Sequence, residues 1–96
     1  MVKASTKLGS GKYHKFIGEP MDGKKVSEIF GVGDHYGGIL TAAGYTTAER
    51  LYGVYLSNNR DKARFMSWLE AWVDKENAES IYECLNDYAG IHGGYN

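Results

Sequence analysis

Apolar residues recur at helical spacing along most of this sequence, and this periodicity restricts the fold more than any other feature. Four large side chains of RDKARFMSWLEAWV lie on one helical face, at positions i, i+3, i+4 and i+7: Phe65, Trp68, Leu69 and Trp72. Hardly any segment alternates apolar and polar residues as a half-buried strand does. The sequence therefore predicts an all-α fold, with these four side chains in the core.

The ends of several helices are marked by residues with known capping preferences. Ser10 is a suitable N-cap for a short helix in SGKYHKFIG. The segment DHYGGILTAA is predicted to open on Asp34 and to close at Gly44, where glycine can take the left-handed conformation. TTAERLYGVYL begins with Thr46, three residues before Glu49, which is the spacing of a capping box.

Two more segments complete the helical pattern. KKVSEIF is predicted to form a brief helix, and ENAESIYECLNDYA a last helix that ends before Gly90. The pattern marks six helical segments, and the expected fold is a compact all-α domain of five short helices that contains a helix-hairpin-helix motif. We expect residues 1–9 to form a flexible basic arm, residues 10–90 the helical domain and residues 91–96 a flexible tail.

Length and composition limit the remaining possibilities. A chain of 96 residues forms one domain with a modest core, so an extensive binding site would need a second chain. No apolar run approaches the roughly 18 to 20 residues of a membrane-spanning helix, and the start lacks a signal-peptide pattern. We therefore expect an intracellular oligomer without membrane insertion. The lone cysteine, Cys84, is expected to be a small core residue.

Charge is distributed unevenly along the chain. Residues 1–25 contain six lysines and two acidic residues, for a net charge of +4. Residues 26–96 contain five basic and ten acidic residues, for a net charge of −5. One end of the molecule could therefore face an anion while the rest repels it, although an ordinary solvated surface explains the same distribution.

The segment FGVGDHYGG places four glycines in nine residues between two predicted helices. A dinucleotide-binding fingerprint does not fit, because no strand precedes Gly31 and the glycine spacing is one residue too long. The Gly31-Val32-Gly33 turn does fit a helix-hairpin-helix. Its amides, with the positive end of the following helix, can bind a phosphate without reading any base. A purely structural hairpin is the alternative.

Several segments together resemble the barrier-to-autointegration factor family. The resemblance covers about residues 10 to 89 and is carried by KYHKFIGEPMDGKKVSEIFGVGDHYGGILTAAGY, LYGVYL and FMSWL. It implies a five-helix homodimer of the nucleus and cytoplasm that binds and bridges double-stranded DNA without sequence preference. It also implies that LEM-domain proteins of the nuclear envelope bind in a groove across the dimer. No cofactor and no metal ion are expected.

The resemblance also implies roles for individual residues. The DNA-binding residues would be Gly31, Val32, Gly33, Lys12, Lys75 and Asn77. The dimer and partner groove would contain Tyr52, Gly53, Tyr55 and Leu56. Ser10 matches a phosphorylatable serine of the family, whose phosphate would weaken DNA binding. Simpler roles remain open: Ser10 as a helix cap, Lys12 and Lys75 as solvated side chains, and Gly53 as a site of close helix packing.

This chain departs from the family pattern at several positions. Gly38 and Ile39 stand where the family carries lysines, and Glu76 and Glu79 lie close to where it presents basic residues. In the groove, Ser57 and Arg64 replace apolar residues.

Three classes of function therefore remain. The first is a DNA-bridging dimer. The second is a divergent interaction module with weakened DNA or LEM binding that acts through homo- or heterodimerisation. The third, an enzyme, is disfavoured because the candidate groups show no recognised catalytic or metal-binding spacing: His14, His35, His92 and Cys84.

Overall fold

The structure of the protein, a computed structural model, describes residues 10–93. Five α-helices are present in this range: α1 (Gly11–Gly18), α2 (Gly33–Ala42), α3 (Ala48–Ser57), α4 (Lys62–Leu69) and α5 (Lys75–His92). A short 3-10 turn, Val26–Glu28, lies between α1 and α2. The described residues form no β-strand, apart from an isolated antiparallel bridge between Lys25 and Thr47. The predicted all-α, five-helix fold is confirmed.

Four of the five α-helices in this range begin with a side-chain cap. The capping oxygens accept hydrogen bonds from backbone amides three residues later, at 3.2 Å for Ser10, 3.2 Å for Thr47, 2.9 Å for Asp61 and 2.8 Å for Asp74. Each bond satisfies one of the amides that a helix N-terminus leaves without a partner. α2 differs, because its N-cap is Val32, which makes no side-chain capping bond.

Several predicted helix boundaries are corrected. The segment KKVSEIF forms only the 3-10 turn, so one arm of the hairpin is a single tight turn. α2 begins at Gly33, one residue before Asp34, and the cap of α3 is Thr47 and not Thr46. Helix α5 continues through Gly90 to His92, because glycine in a helix costs only about 1 kcal/mol and the preceding turns are well packed.

The core is assembled around α5. Its fully buried side chains include Ile81, Cys84 and Leu85, so the prediction for Cys84 is confirmed. Phe65 and Leu69 of α4 are also completely buried, as predicted. Trp68 and Trp72 are only partly buried and pack at the edge of the core against Tyr45. Trp72 lies beyond the end of α4, so the helical spacing overestimated the length of this face.

Polar contacts fasten α1 and the following loop to α5. The Tyr13 hydroxyl donates a hydrogen bond to Asp87, and burial is the main cause that raises the pKa of Tyr13. The Tyr88 hydroxyl accepts a hydrogen bond of 3.0 Å from the Met21 amide. A ring nitrogen of His92 lies 2.7 Å from the carbonyl oxygen of Ile17. The start of α1, with its lysines, is therefore held in a fixed position relative to α5.

None of the helices in the described range is both long enough and apolar enough to cross a membrane. The proposed basic arm, residues 1–9, lies outside the described residues, as do residues 94–96 of the proposed tail. Ile91 and His92 belong to α5, so the helical domain extends past the predicted boundary at residue 90.

Candidate nucleic-acid interface

The two glycines of the predicted hairpin are required by its backbone. Gly31 has φ +100° and Gly33 has φ +68°, both in the left-handed region that favours glycine. A Cβ atom at Gly31 would lie only 3.0 Å from the backbone nitrogen of Ile81 and 3.0 Å from Cβ of Ser80. A Cβ atom at Gly33 would meet open space. Gly31 therefore allows close packing against α5, whereas Gly33 leaves the surface of the turn open.

The hairpin is partly buried. Val32 points into the core and is only 3% exposed, while Gly31 and Gly33 are half-buried. The Val32 amide donates a hydrogen bond of 3.0 Å to the carbonyl oxygen of Ile29. The prediction that all three amides of the turn are available to a phosphate is therefore wrong for Val32.

The amides available to a ligand lie in the first turn of α2. Within the described part of the chain, the amides of Gly33, Asp34 and His35 donate no hydrogen bond, and Val32 supplies no capping oxygen. These amides and the helix dipole produce a partial positive charge at the start of α2. Asp34 contributes an opposing carboxylate in the same turn. The geometry suits an external anion that approaches over Gly33.

The start of α5 is adjacent to the hairpin but is already occupied by its own side chains. Asp74 caps the helix by accepting the Asn77 amide at 2.8 Å. The side chain of Asn77 donates through Nδ2 to the carbonyl oxygen of Gly31 at 2.6 Å, so Asn77 supports the hairpin directly. Lys75 is exposed at the first position of the helix. The structure therefore brings together two of the residues predicted to bind DNA, Asn77 and Gly31, whose DNA-binding role stays a prediction.

Two acidic residues of α5, Glu76 and Glu79, lie near this surface. Glu79 accepts a hydrogen bond of 3.0 Å from Lys62, and this contact raises the pKa of Lys62. Lys62 also lies 5.7 Å from the centre of the Tyr82 ring. Glu76 lies in the first turn of α5, where a carboxylate interacts favourably with the helix dipole. The negative charge of Glu79 is therefore partly compensated by Lys62.

Lysines from α1 and the following loop lie beside α2. A shallow cavity between these elements is lined by Lys12, Lys15, Lys24, Ser27 and Asp34, among others. Lys24 is engaged within this region, because its ammonium group lies 2.7 Å from Glu19. The hydrogen bond from Lys24 lowers the pKa of the Glu19 carboxyl. Lys12 and Lys15 are exposed, so these two are the cations that α1 presents near the hairpin.

α2 carries no lysine or arginine, and His35 in its first turn is its one basic residue. Gly38 is exposed, and a Cβ atom there would meet nothing within 4 Å. Ile39 is half-buried. The neighbouring Gly37 is buried against Ser27, where an added Cβ atom would come within 2.8 Å of the Ser27 Cβ atom. The structure therefore explains Gly37 by close packing but leaves Gly38 free to accept any side chain.

The predicted groove residues of α3 separate into two groups. Tyr55 is completely buried, its hydroxyl donates to Asn86 at 2.6 Å, and burial raises its pKa to about 12. The expectation that Tyr55 contributes to an apolar surface is therefore corrected. Gly53 is exposed, Leu56 is 40% exposed, and Tyr52 is half-buried against Tyr55 at a ring distance of 5.7 Å. These three residues remain at the surface.

The remaining predicted residues lie at the surface as well. Ser57 and Arg64 are exposed, and the Ser57 hydroxyl donates to the carbonyl oxygen of Val54 at 2.9 Å. Ser10 is half-exposed and caps α1, which confirms its structural role.

Sequence reasoning missed three contacts in this region. They are the packing of Val32 into the core, the hydrogen bond from Asn77 to Gly31 and the ion pair of Lys62 with Glu79. The last two join residues 46 and 17 positions apart, and no local pattern encodes such contacts. The burial of Val32 was suggested only by its apolar side chain.

The fold and the glycine hairpin define a class of small all-helical domains in which the second α-helix directly follows a glycine turn. A family model described as "Barrier to autointegration factor" matches residues 7–92 of this chain. The chain belongs to the barrier-to-autointegration factor family.

Relatives from several animals match over most of their length. The chain is 42% identical to barrier-to-autointegration factor 1 of Caenorhabditis elegans, over 83% of this chain and 92% of that protein. It is 36% identical to barrier-to-autointegration factor of Drosophila melanogaster, over 82% of this chain and 90% of that protein. Identity to the Homo sapiens protein is 27%, over 82% of this chain and 91% of that protein.

Proposed function

We propose that this protein binds double-stranded DNA through the phosphate backbone, without sequence preference, at the start of α2. The observation that carries the proposal is the uncapped first turn of α2 behind the Gly31-Val32-Gly33 hairpin. In a chain of the barrier-to-autointegration factor family, an N-terminus with open amides is suited to receive a phosphate oxygen.

The chemistry of this surface favours backbone recognition over base recognition. Backbone amides and a helix dipole interact with any phosphate and carry no information about sequence. The exposed cations of α1, Lys12 and Lys15, would add counterion release to the binding free energy. α2 has no lysine or arginine, so we expect weaker binding than lysines at Gly38 and Ile39 would give.

Fluorescence anisotropy with two unrelated random duplexes, over a range of salt concentrations, tests this proposal. We expect equal affinities for both duplexes and a linear fall of log affinity with log salt, with a slope of about −0.9 per phosphate contacted. Undetectable binding at low salt, or a strong preference for one duplex, would refute the proposal.

We also propose that the protein is a homodimer that bridges two duplexes through the surface of α3. Gly53 is exposed in the middle of this helix, so a second backbone can approach it closely, and Leu56 provides 40% exposed apolar surface beside it. Two hairpins on one dimer would hold two DNA segments at once. The shared surface is also where a LEM-domain partner would bind, close to Ser57 and Arg64.

Light scattering on matched variants tests the dimer. Gly53→Glu fits within the protomer, because nothing lies within 4 Å of an added Cβ atom, but it places a charge in the proposed contact. Ala63→Glu adds the same charge to an exposed position of α4 and serves as the control. We expect only Gly53→Glu to be monomeric. A monomeric wild type at micromolar concentration would contradict the proposal.

The second candidate is a divergent interaction module with reduced DNA or LEM binding. It is favoured by the absence of lysine and arginine from α2 and by the carboxylates Asp34, Glu76 and Glu79 around the hairpin. Co-purification with a conventional member of the family, together with weak DNA binding, would favour this candidate. The predictions of a nuclear and cytoplasmic location, of phosphorylation at Ser10 and of no enzymatic activity stay predictions.

A further inference from the structure

We infer that Asn77 is a positioning residue, which sets the DNA affinity of the hairpin by holding the Gly31 carbonyl and not by contacting DNA itself. This inference rests on the proposed function, because it assigns a role within the same phosphate-binding surface. Its structural part concerns the free protein and can be tested without DNA.

The side-chain amide of Asn77 reaches from the first turn of α5 to the hairpin. Its Nδ2 group donates to the Gly31 carbonyl oxygen at 2.6 Å. The backbone amide of the same residue is fixed by Asp74 at 2.8 Å. A continuous set of hydrogen bonds therefore connects the cap of α5 to the turn that precedes α2.

The bond acts on the peptide unit between Gly31 and Val32. The carbonyl of this unit accepts from Asn77, and its amide donates to Ile29 at 3.0 Å. A peptide group bonded at both ends is held in one orientation, and each bond strengthens the other by polarisation. The next peptide along the chain carries the amide of Gly33, so its direction depends on this restraint.

Glycine makes this restraint necessary. Gly31 and Gly33 have access to both halves of backbone conformational space, and a turn that contains both is intrinsically mobile. Val32 anchors the turn by its buried side chain, but a side chain does not fix the direction of the amides around it. The bond from Asn77 supplies this orientational restraint at the carbonyl end of the peptide, and the bond to Ile29 supplies it at the amide end.

Hydrogen exchange of the Val32 amide in the free protein measures the restraint directly. Asn77→Ala removes the bond, and we expect the Val32 amide to exchange about fivefold faster, as for the loss of one ordinary hydrogen bond. Asn77→Gln keeps an amide donor with one more methylene group, so we expect partial protection. Lys75→Gln changes a residue two positions before Asn77 and should leave the exchange of the Val32 amide unchanged.

Measurements of DNA affinity then distinguish a positioning role of Asn77 from direct contact with DNA. For Asn77→Ala we expect a loss of affinity of about fivefold with an unchanged salt slope, and partial recovery in Asn77→Gln. If Lys75 contacts a phosphate, Lys75→Gln instead lowers the salt slope by about 0.9. Unchanged Val32 exchange in Asn77→Ala, with or without lost affinity, overturns the inference and leaves the proposed function intact.

The wild-type protein offers a measurement that needs no variant to fold. The Nδ2 hydrogens of Asn77 should exchange more slowly than those of Asn59, an exposed asparagine in the loop that follows α3. Equal exchange rates for the two side chains would overturn the inference. A wild type that binds no DNA refutes the proposed function, whereas the exchange results address only the restraint.

Discussion

The starts of α2 and α5 lie next to each other, yet only the start of α5 is capped by a side chain. At α5, Asp74 supplies a capping oxygen and Glu76 adds a carboxylate in the first turn. At α2, the cap position is held by Val32, whose side chain is buried, and the first amides donate no hydrogen bond within the described residues. One terminus is satisfied internally, and the other is left for an external anion.

In the proposed function, the phosphate site arises from what the start of α2 lacks, which is a capping side chain. The dipole and the free amides exist at every α-helix N-terminus, so they do not identify a site on their own. What distinguishes α2 is a buried apolar cap residue together with glycine at φ +68° and no Cβ atom above the amides. The capped starts of the other helices serve as internal references for this interpretation.

The largest effect is expected from placing a carboxylate at the uncapped start of α2. Gly33→Asp and Gly33→Asn add side chains of nearly equal shape, and both residues tolerate the left-handed backbone better than other types. We expect Gly33→Asp to bind DNA about tenfold to a hundredfold more weakly than Gly33→Asn, because a charge-assisted contact worth about 1.5–3 kcal/mol is lost. Anisotropy titrations measure the difference, and equal affinities would mean that no phosphate lies at Gly33.

A smaller effect, on the stability of the protein, is expected from removing the side-chain cap of α5. Asp74→Ala removes the cap of α5 and should lower the free energy of unfolding by about 1 kcal/mol, measured by urea denaturation. Asp74→Ser retains a capping oxygen and should lose much less. If the two variants are equally unstable, Asp74 does not stabilise the start of α5 and the contrast with α2 fails.

Adding a cation beside the open terminus should strengthen DNA binding moderately. Gly38→Lys occupies open space on the exposed face of α2. We expect higher affinity and a salt slope steeper by about 0.9, as for one additional phosphate contact. Gly38→Gln controls for the gain in helix propensity, which both variants share. An identical salt slope in the two variants would place the DNA away from this face of α2.

The smallest effect is expected at the paired carboxylate of α5. Glu79→Gln should raise DNA affinity by less than about twofold, because Lys62 already offsets the charge and exposed pairs contribute little. Lys62→Gln leaves Glu79 without this partner and should lower the DNA affinity slightly. A large gain in Glu79→Gln, measured in the same titrations, would show that Lys62 does not compensate the carboxylate.

Local signals in the sequence predicted much of the fold. Ser10 caps α1 as expected, and Gly44 closes α2 at φ +102°, because caps and left-handed glycines depend on residues only a few positions away. The same local reasoning failed at Trp72, which continues the apolar spacing of α4 but lies beyond its last turn. Periodicity reports which residues could share a face, and tertiary packing decides where the helix ends.

The candidate site was predicted only in part. The hairpin glycines were found because a turn with positive φ demands them, and Gly31 and Gly33 do adopt it. The sequence did not reveal that Val32 is buried with its amide already bonded, or that Asn77 holds the hairpin. Both facts depend on how α5 packs against the turn, which is a contact between distant segments.

The central claim is that the open start of α2 receives the DNA phosphate. Backbone amide chemical shifts of the isotope-labelled protein, followed during titration with a short random duplex, test it most directly. We predict that the largest shifts occur at Gly33, Asp34 and His35, with smaller shifts at the capped starts of α3 and α4. Saturable DNA binding that leaves the amides of Gly33, Asp34 and His35 unshifted would contradict the claim.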